Sequence, residues 1–164
     1  MDLAFWNTTW SRKYERYNGH HREIWDYMLP YLERNVADLG CGACTMYENQ
    51  NVSLTGVDWS EAALVEARKN YPSGTYVRAD VCDTGLPSDQ FDTVIMLGVL
   101  DYIEDWQAVI LEAERIKKEG GHIYATLLQK FLGHEWSIVA VCEKLRRDPK
   151  QYREIVGNWI LIEI

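Results

Sequence analysis

VADLGCGAC, residues 36–44, is the stretch on which the fold turns. A short apolar run ends at Asp38 and Leu39, and Gly40 and Gly42 follow at once. Glycines in such a place let the backbone turn sharply and come close to a ligand before the next element begins. In open α/β sheets, ligands bind beyond the C-terminal ends of strands, beside the first strand. The stretch therefore predicts a strand, a glycine loop facing a ligand, and a parallel sheet around them.

Outward from it, short β-rich runs alternate with turns and helices. The runs are Asn35–Leu39, Ser53–Asp58, Thr75–Ala79, Phe91–Leu97 and His122–Leu128. A short helix is expected near Thr45–Asn49, and a clearer one at Glu61–Asn70 with Ser60 as its N-cap. Another is expected from Trp106 to Glu119, capped by Asp105 and stopped by Gly120-Gly121. Continuous apolar runs such as TVIML and IYATLL suit strands covered on both faces, and the alternation suits a doubly wound α/β sandwich.

Before the sheet, Trp6, Trp10, Tyr14 and Tyr17 fall at helical spacing. His21–Glu33 reads as a second helix with Ile24, Trp25, Met28 and Leu32 inward, and Pro30 at a kink or in its last turn. After the sheet, a helix is expected over Phe131–Arg146. The end, QYREIV-GN-WILIEI, then carries a hairpin signal at Gly157-Asn158. These pieces predict one domain over residues 1–164, with a helical N-terminal segment (1–34) and a sheet domain (35–164).

Three successive strands end in an acid: DLGCG with Asp38, GVDWS with Asp58 and RADVCD with Asp80. Asp58 lies eighteen residues after Gly40, where a carboxylate can accept hydrogen bonds from both ribose hydroxyls of a nucleoside. Core strands gain nothing from terminal carboxylates, so folding alone does not account for the set.

From Asn35 to Leu128 the chain resembles class I S-adenosylmethionine-dependent methyltransferases. DLGCGAC resembles that family's glycine motif, GVDWS its ribose motif and RADVCD its adenine motif. FDTVIMLGVLDYIED resembles the fourth strand, whose exit lies beside the transferred methyl. The resemblance implies a Rossmann-like, three-layer α/β sandwich, mostly parallel, with a C-terminal antiparallel hairpin. It also implies S-adenosyl-L-methionine as cofactor and a methyltransferase activity.

Carried over, Asp38, Gly40, Cys41 and Gly42 would face the methionine end, Asp58 would hold the ribose, and Trp59 would lie on the adenine. Asp80 and the Val81 amide would take the adenine edge, and Leu97 would offer backbone near the methionine portion. Apart from the resemblance, Tyr14, on the aromatic stripe that precedes the sheet, is expected to cover the cofactor. In the family's glycine motif the third glycine is here Cys44, and the resemblance implies that a β-carbon there would crowd the methionine portion.

A sulfonium is already electrophilic, so the protein must align a nucleophile and exclude water. A base is needed only for an acceptor that is protonated at neutral pH. Candidates are Asp101 and Tyr102, with Glu104, His20, His21 and His134 behind them; Tyr102 stands where many family members place a histidine. The acceptor is expected to be a small molecule. Its pocket is expected to be open, covered by the aromatic segment or the helix over 131–146, or closed by a second copy in a homodimer.

Composition narrows the alternatives. No stretch approaches the ~20 apolar residues of a membrane span, and the polar, aromatic N-terminus lacks the apolar core of a secretion signal, so a cytoplasmic protein is expected. A net charge of −8 disfavours broad nucleic-acid binding, and Lys144, Arg146, Arg147, Lys150 and Arg153 read as a solvated face.

Cys41-Gly42-Ala43-Cys44 admits a thiol redox reading, in which Asp58 and Asp80 have no role. Zinc lacks a second ligand pair, since Cys82 and Cys142 are isolated, and no metal is expected. A nicotinamide cofactor requires a glycine where Thr45 stands. The remaining alternative is a protein on the same fold that holds the cofactor, or a partner, without turnover.

Overall fold

The computed structural model describes residues 4–5, 7–8, 22–44, 46–47, 51–128, 130–131, 134–135, 152–155 and 159–164. Five strands come first: β1 (Asn35–Leu39), β2 (Ser53–Asp58), β3 (Thr75–Arg78), β4 (Phe91–Met96) and β5 (Lys117–Leu128). A separate two-stranded ladder then joins β6 (Lys130–Phe131) to β7 (His134–Glu135), and β8 (Tyr152–Ile155) and β9 (Trp159–Glu163) end the chain. Seven of these make the central sheet, in the order β3-β2-β1-β4-β5-β9-β8.

Strands β1 to β5 pair in parallel, and β9 pairs antiparallel with both β5 and β8. The β-prone runs flanking Gly157-Asn158 are thus the two arms of an antiparallel pair; the turn residues themselves lie outside the described residues.

Among the described residues, helices pack on both faces of the sheet. Helix α1 (Arg22–Met28) and helix α2 (Glu61–Asn70) cover the face that carries Val36, Leu54, Ile95 and Tyr124. Helix α3 (Trp106–Ile116) covers the face that carries Ala37, Leu39, Val94, Met96 and Ile123. Burial on both faces explains why β4 reads as a near-continuous apolar run. The caps are where side-chain chemistry puts them: Ser60 Oγ accepts from the Ala63 amide, and Asp105 Oδ1 accepts from the Ala108 amide.

Several expectations are corrected. The helix expected over His21–Glu33 stops at Met28, and Leu29–Tyr31 with Pro30 form a single 3-10 turn, since proline lacks the N–H that would continue the α-helix. The helix expected to reach Glu119 ends at Ile116, and β5 already begins at Lys117. Between Lys117 and His122 the pairing with β4 slips. Gly120, at φ 75°, and Gly121 therefore sit in an irregular strand, not at a helix C-cap.

The short helix expected near Thr45–Asn49 is absent at its described positions, where Met46 is a turn and Tyr47 has no regular structure. The helix expected from Phe131 begins instead as the β6–β7 ladder, and residues 136–146 lie outside the description. No helix among the described residues is long and apolar enough to cross a membrane.

Candidate cofactor site

The register brings the three acids to one end of the sheet. Asp38 pairs with Gly56 of β2 and Ile95 of β4, while Asp58 lies level with Arg78 of β3. The glycine loop leaves β1 and folds back over β2: the Gly40 and Cys41 amides donate to the Val57 carbonyl at 2.7 and 3.0 Å. Gly40 (φ 75°) and Gly42 (φ 52°) are both left-handed. A β-carbon at Gly40 would also collide with Val99 Cγ2, in the loop after β4, so the Val99 side chain packs directly on the Gly40 backbone.

Asp58 closes this loop. Its Oδ2 accepts from the Gly42 amide at 3.0 Å and its Oδ1 from the Ser60 amide at 2.8 Å. The carboxyl is buried, and burial raises its pKa above the usual 3.8 although these amide bonds pull the other way. Each carboxylate oxygen has a further lone pair, so both can still accept from a diol.

Asp38 is equally buried, at 7% exposure, with Oδ2 accepting from the Tyr47 hydroxyl at 2.9 Å. Burial lifts it from 3.8 to about 7; the Tyr47 bond opposes the rise and the charge of Asp58 adds to it.

The third strand stops at Arg78, short of the expected Ala79, so Asp80 lies two residues beyond it, exposed, with Oδ1 accepting from the Cys82 amide at 2.9 Å. The Val81 side chain is buried in the core beside it. Trp59 is half-buried, and its carbonyl accepts from Arg78 Nε. Leu97 is half-buried in the turn after β4, where the Gly98 amide donates to the buried Thr126 Oγ1 at 2.8 Å.

Asp101 and Tyr102 lie in the 3-10 turn Leu100–Tyr102, half-buried, and the Tyr102 amide donates to the Val99 carbonyl. The structure thus gathers Asp38, Gly40, Cys41, Gly42, Asp58 and Trp59 around the glycine loop, and Asp80 and Val81 follow at the next strand end. Tyr14, His20, His21 and Cys142 lie outside the described residues, as does the basic cluster apart from the β8 residue Arg153. Of the N-terminal segment, Ala4–Phe5 and Asn7–Thr8 are helical, and Ser60 Oγ donates to Asn7 Oδ1 at 2.7 Å, tying this segment to the start of α2.

Cys44 adopts φ 51°, a left-handed conformation that costs a non-glycine residue on the order of 1 kcal/mol. That geometry explains why glycine suits this position. The pair Cys41 and Cys44 is buried, and burial, ahead of the neighbouring Cys44 thiol and two carboxylates, pushes Cys41 well above the usual thiol range. A redox cysteine needs the opposite, a thiolate stabilised at a helix start, and the described residues after Cys44 are not helical. The thiol redox reading therefore loses its physical basis. Among the described residues no group of three or more His, Cys, Asp or Glu could hold a metal ion.

Three features escaped the sequence reading. Tyr47 bonds Asp38. Gly56 is required because a β-carbon would come within 2.8 Å of Cys41 Sγ and 3.0 Å of Tyr76 Cδ1. Glu112 of α3 clamps the loop after Asp80: its Oε1 accepts from the Thr84 amide (2.9 Å) and hydroxyl (2.5 Å), and Arg115 binds both of its oxygens at 2.7 Å. Nothing local in the sequence marks Tyr47, Gly56 or Glu112 for these contacts. An open depression lined by Leu32, Glu33, Arg34, Asn51, Val52 and Asp92 lies at the opposite, N-terminal ends of the strands, away from these groups.

Comparison with known proteins identifies the family and the fold. A family model described as "Methyltransferase domain" matches residues 37–125, more than half of the chain. A ubiquinone biosynthesis O-methyltransferase of Vibrio atlanticus is 29% identical over 71% of this chain and 53% of its own. An S-adenosylmethionine-dependent methyltransferase structure from Mesorhizobium loti is 30% identical, with TM-score 0.58, over 66% of this chain and 53% of that one. A methyltransferase structure from Thermotoga maritima shares the fold across 99% of this chain and 98% of that one, with TM-score 0.74 at 18% identity. The chain spans about half the length of the curated relatives it matches.

Proposed function

The chain belongs to the methyltransferase domain family, and from that premise we propose that it binds S-adenosylmethionine at the glycine loop and transfers its methyl group to a small-molecule acceptor. The observation that carries the proposal is the closure of the Gly42 amide on Asp58 at 3.0 Å, with Asp38 near the end of β1 and Asp80 just beyond β3. The chemistry of the donor set fits this cofactor: buried carboxylates for an ammonium and a diol, an exposed one for an amino edge, and glycine backbone between them. When bound, the cofactor supplies a methyl group made electrophilic by its sulfonium.

What remains for the chain is binding, orientation and exclusion of water. Asp58 holds the ribose hydroxyls through the lone pairs that Gly42 and Ser60 leave open. Asp38 faces the amino-acid end, Trp59 lies against the base, and Asp80 with the Val81 amide reads the adenine edge. The Leu97–Gly98 turn, fixed by Thr126, presents backbone beside the methionine portion. Asp101 and Tyr102, on the turn after β4, face the acceptor, and either can take its proton where the acceptor carries one. Asn7, on Ser60, brings the N-terminal segment to the cofactor's side. A cytoplasmic location belongs to the same proposal.

Calorimetry with S-adenosylmethionine, S-adenosylhomocysteine and NAD tests the binding, and transfer of a labelled methyl to candidate acceptors tests the turnover. Binding of the two adenosyl ligands without NAD supports the reading; tight NAD binding with neither of the others refutes it. Cofactor binding with no transfer to any acceptor class favours the non-catalytic alternative.

A further inference from the structure

Resting on that cofactor reading, we propose that Tyr47 is a positioning residue: its hydroxyl fixes the buried Asp38 carboxylate and keeps its charge available to the cationic, amino-acid end of the cofactor. Tyr47 is 1% exposed and its ring is held on two sides, edge-on against Trp25 of α1 at 4.6 Å and tilted against Tyr71 at 5.8 Å. Its hydroxyl is thereby aimed at Asp38 Oδ2, 2.9 Å away. Packing alone asks for no such pair, since a phenylalanine ring and an apolar partner would fill the same space without two desolvated polar groups.

The groups around Asp38 leave Tyr47 as the one that opposes its neutralisation. β2 presents Asp58 and β3 presents Tyr76; the glycine loop presents Cys41 and Cys44; β4 places Ile95 level with it, and α1 adds Trp25. Among the described residues no cation pairs with it. Burial and the Asp58 charge both favour the neutral carboxyl, and the Tyr47 hydrogen bond alone favours the ion. With the midpoint held at about 7, Asp38 is poised so that a bound ammonium completes its ionisation.

The test is the pH profile of S-adenosylhomocysteine affinity from pH 6 to 8.5, for the wild type, Tyr47→Phe, Asp38→Asn and the double variant. 5′-Methylthioadenosine, which lacks the amino-acid end, is the control ligand. In the wild type, affinity should rise with pH and level off above about 7. If loss of the hydroxyl lifts the midpoint by about one pH unit, Tyr47→Phe binds about fivefold more weakly at pH 7, and less than about twofold more weakly at pH 8.5. Asp38→Asn should abolish the pH dependence, and Tyr47→Phe should cost nothing further in its background.

Methylthioadenosine affinity should be the same in all four proteins. A Tyr47→Phe loss that is uniform in pH, or shared by methylthioadenosine, would show a packing role and overturn the proposal, as would an unchanged profile. Asp38→Asn retaining the wild-type pH dependence would overturn it without any reliance on Tyr47→Phe. Absence of all adenosyl-ligand binding by the wild type would remove the cofactor reading beneath it, a result distinct from any of these.

Discussion

Asp38→Asn should make the ligand-free protein more stable at alkaline pH, against the usual effect of altering a buried site. The acid lies 7% exposed, and burial lifts its pKa from 3.8 to about 7. A group raised on folding contributes its stability in full below the unfolded value, and loses it as pH rises through the folded value. The window here is therefore pH 3.8 to about 7. At about 1.4 kcal/mol per pH unit, the ionised carboxyl leaves the fold about 4 kcal/mol weaker above that window than below it.

Asparagine has the same shape, keeps an oxygen for the Tyr47 hydroxyl and carries no charge to desolvate. Urea unfolding at pH 5, 6, 7 and 8 measures the difference. The variant should gain on the wild type as pH rises, reaching about 2–4 kcal/mol at pH 8 once an imperfectly placed amide is allowed for. Saturating S-adenosylhomocysteine should reverse the order, because ligand bound by the wild type stabilises it by mass action. Stability curves that stay parallel across this range would refute the claim that a buried charge is held here at the expense of the fold.

Asp58→Ala removes the acceptor of two buried amides, so cofactor affinity should fall at least tenfold and stability by about 2–4 kcal/mol, read by calorimetry and urea unfolding. Affinity within twofold of wild type in a folded variant would reduce Asp58 to a loop brace. Cys44→Gly frees a left-handed residue but empties a buried site, so stability should change by no more than about 1 kcal/mol while cofactor affinity holds or improves. A tenfold loss of binding would show that the thiol itself is used. Glu112 is held down at about 2, first by Arg115, so its stabilisation is present above pH 4.5 and is lost as pH falls through 2. Glu112→Ala should cost about 3 kcal/mol at pH 7, with the deficit fading in acid; a deficit independent of pH would mean that only packing was lost.

The parallel strands were legible because each is a short β-prone run closed by a turn, and β1 and β2 begin and end at the expected residues. Helix α2 was legible for a different reason: a serine cap and a ten-residue run leave no competing period. The C-terminal limit of α3 was not. Ile116 to Glu119 has no breaker, yet Lys117 pairs with Phe91, so a tertiary contact outweighs a local preference for helix. The glycines expected to stop a helix serve an irregular strand instead. The helix expected near residues 45–49 is likewise absent at the described Met46 and Tyr47, where Tyr47 places its hydroxyl on Asp38 and its ring on Trp25.

The site was half legible, and the missing half has a common cause. An acid at a strand end and a glycine after it are local facts, and spacing suffices to find them. What decides the chemistry of those acids lies across the fold: the phenol against Asp38, the amides of Gly42 and Ser60 on Asp58, and the brace from α3 behind Asp80. Two buried carboxylates of like charge, near the ends of the neighbouring strands β1 and β2, repel one another in the empty protein. On the proposed cofactor reading, they become favourable when a cation and a pair of hydroxyls arrive together. A ligand carrying an ammonium and a ribose satisfies both at once. Adenosine alone should therefore bind far more weakly than S-adenosylhomocysteine, by more than its lost contact area explains, and that excess should vanish in Asp38→Asn.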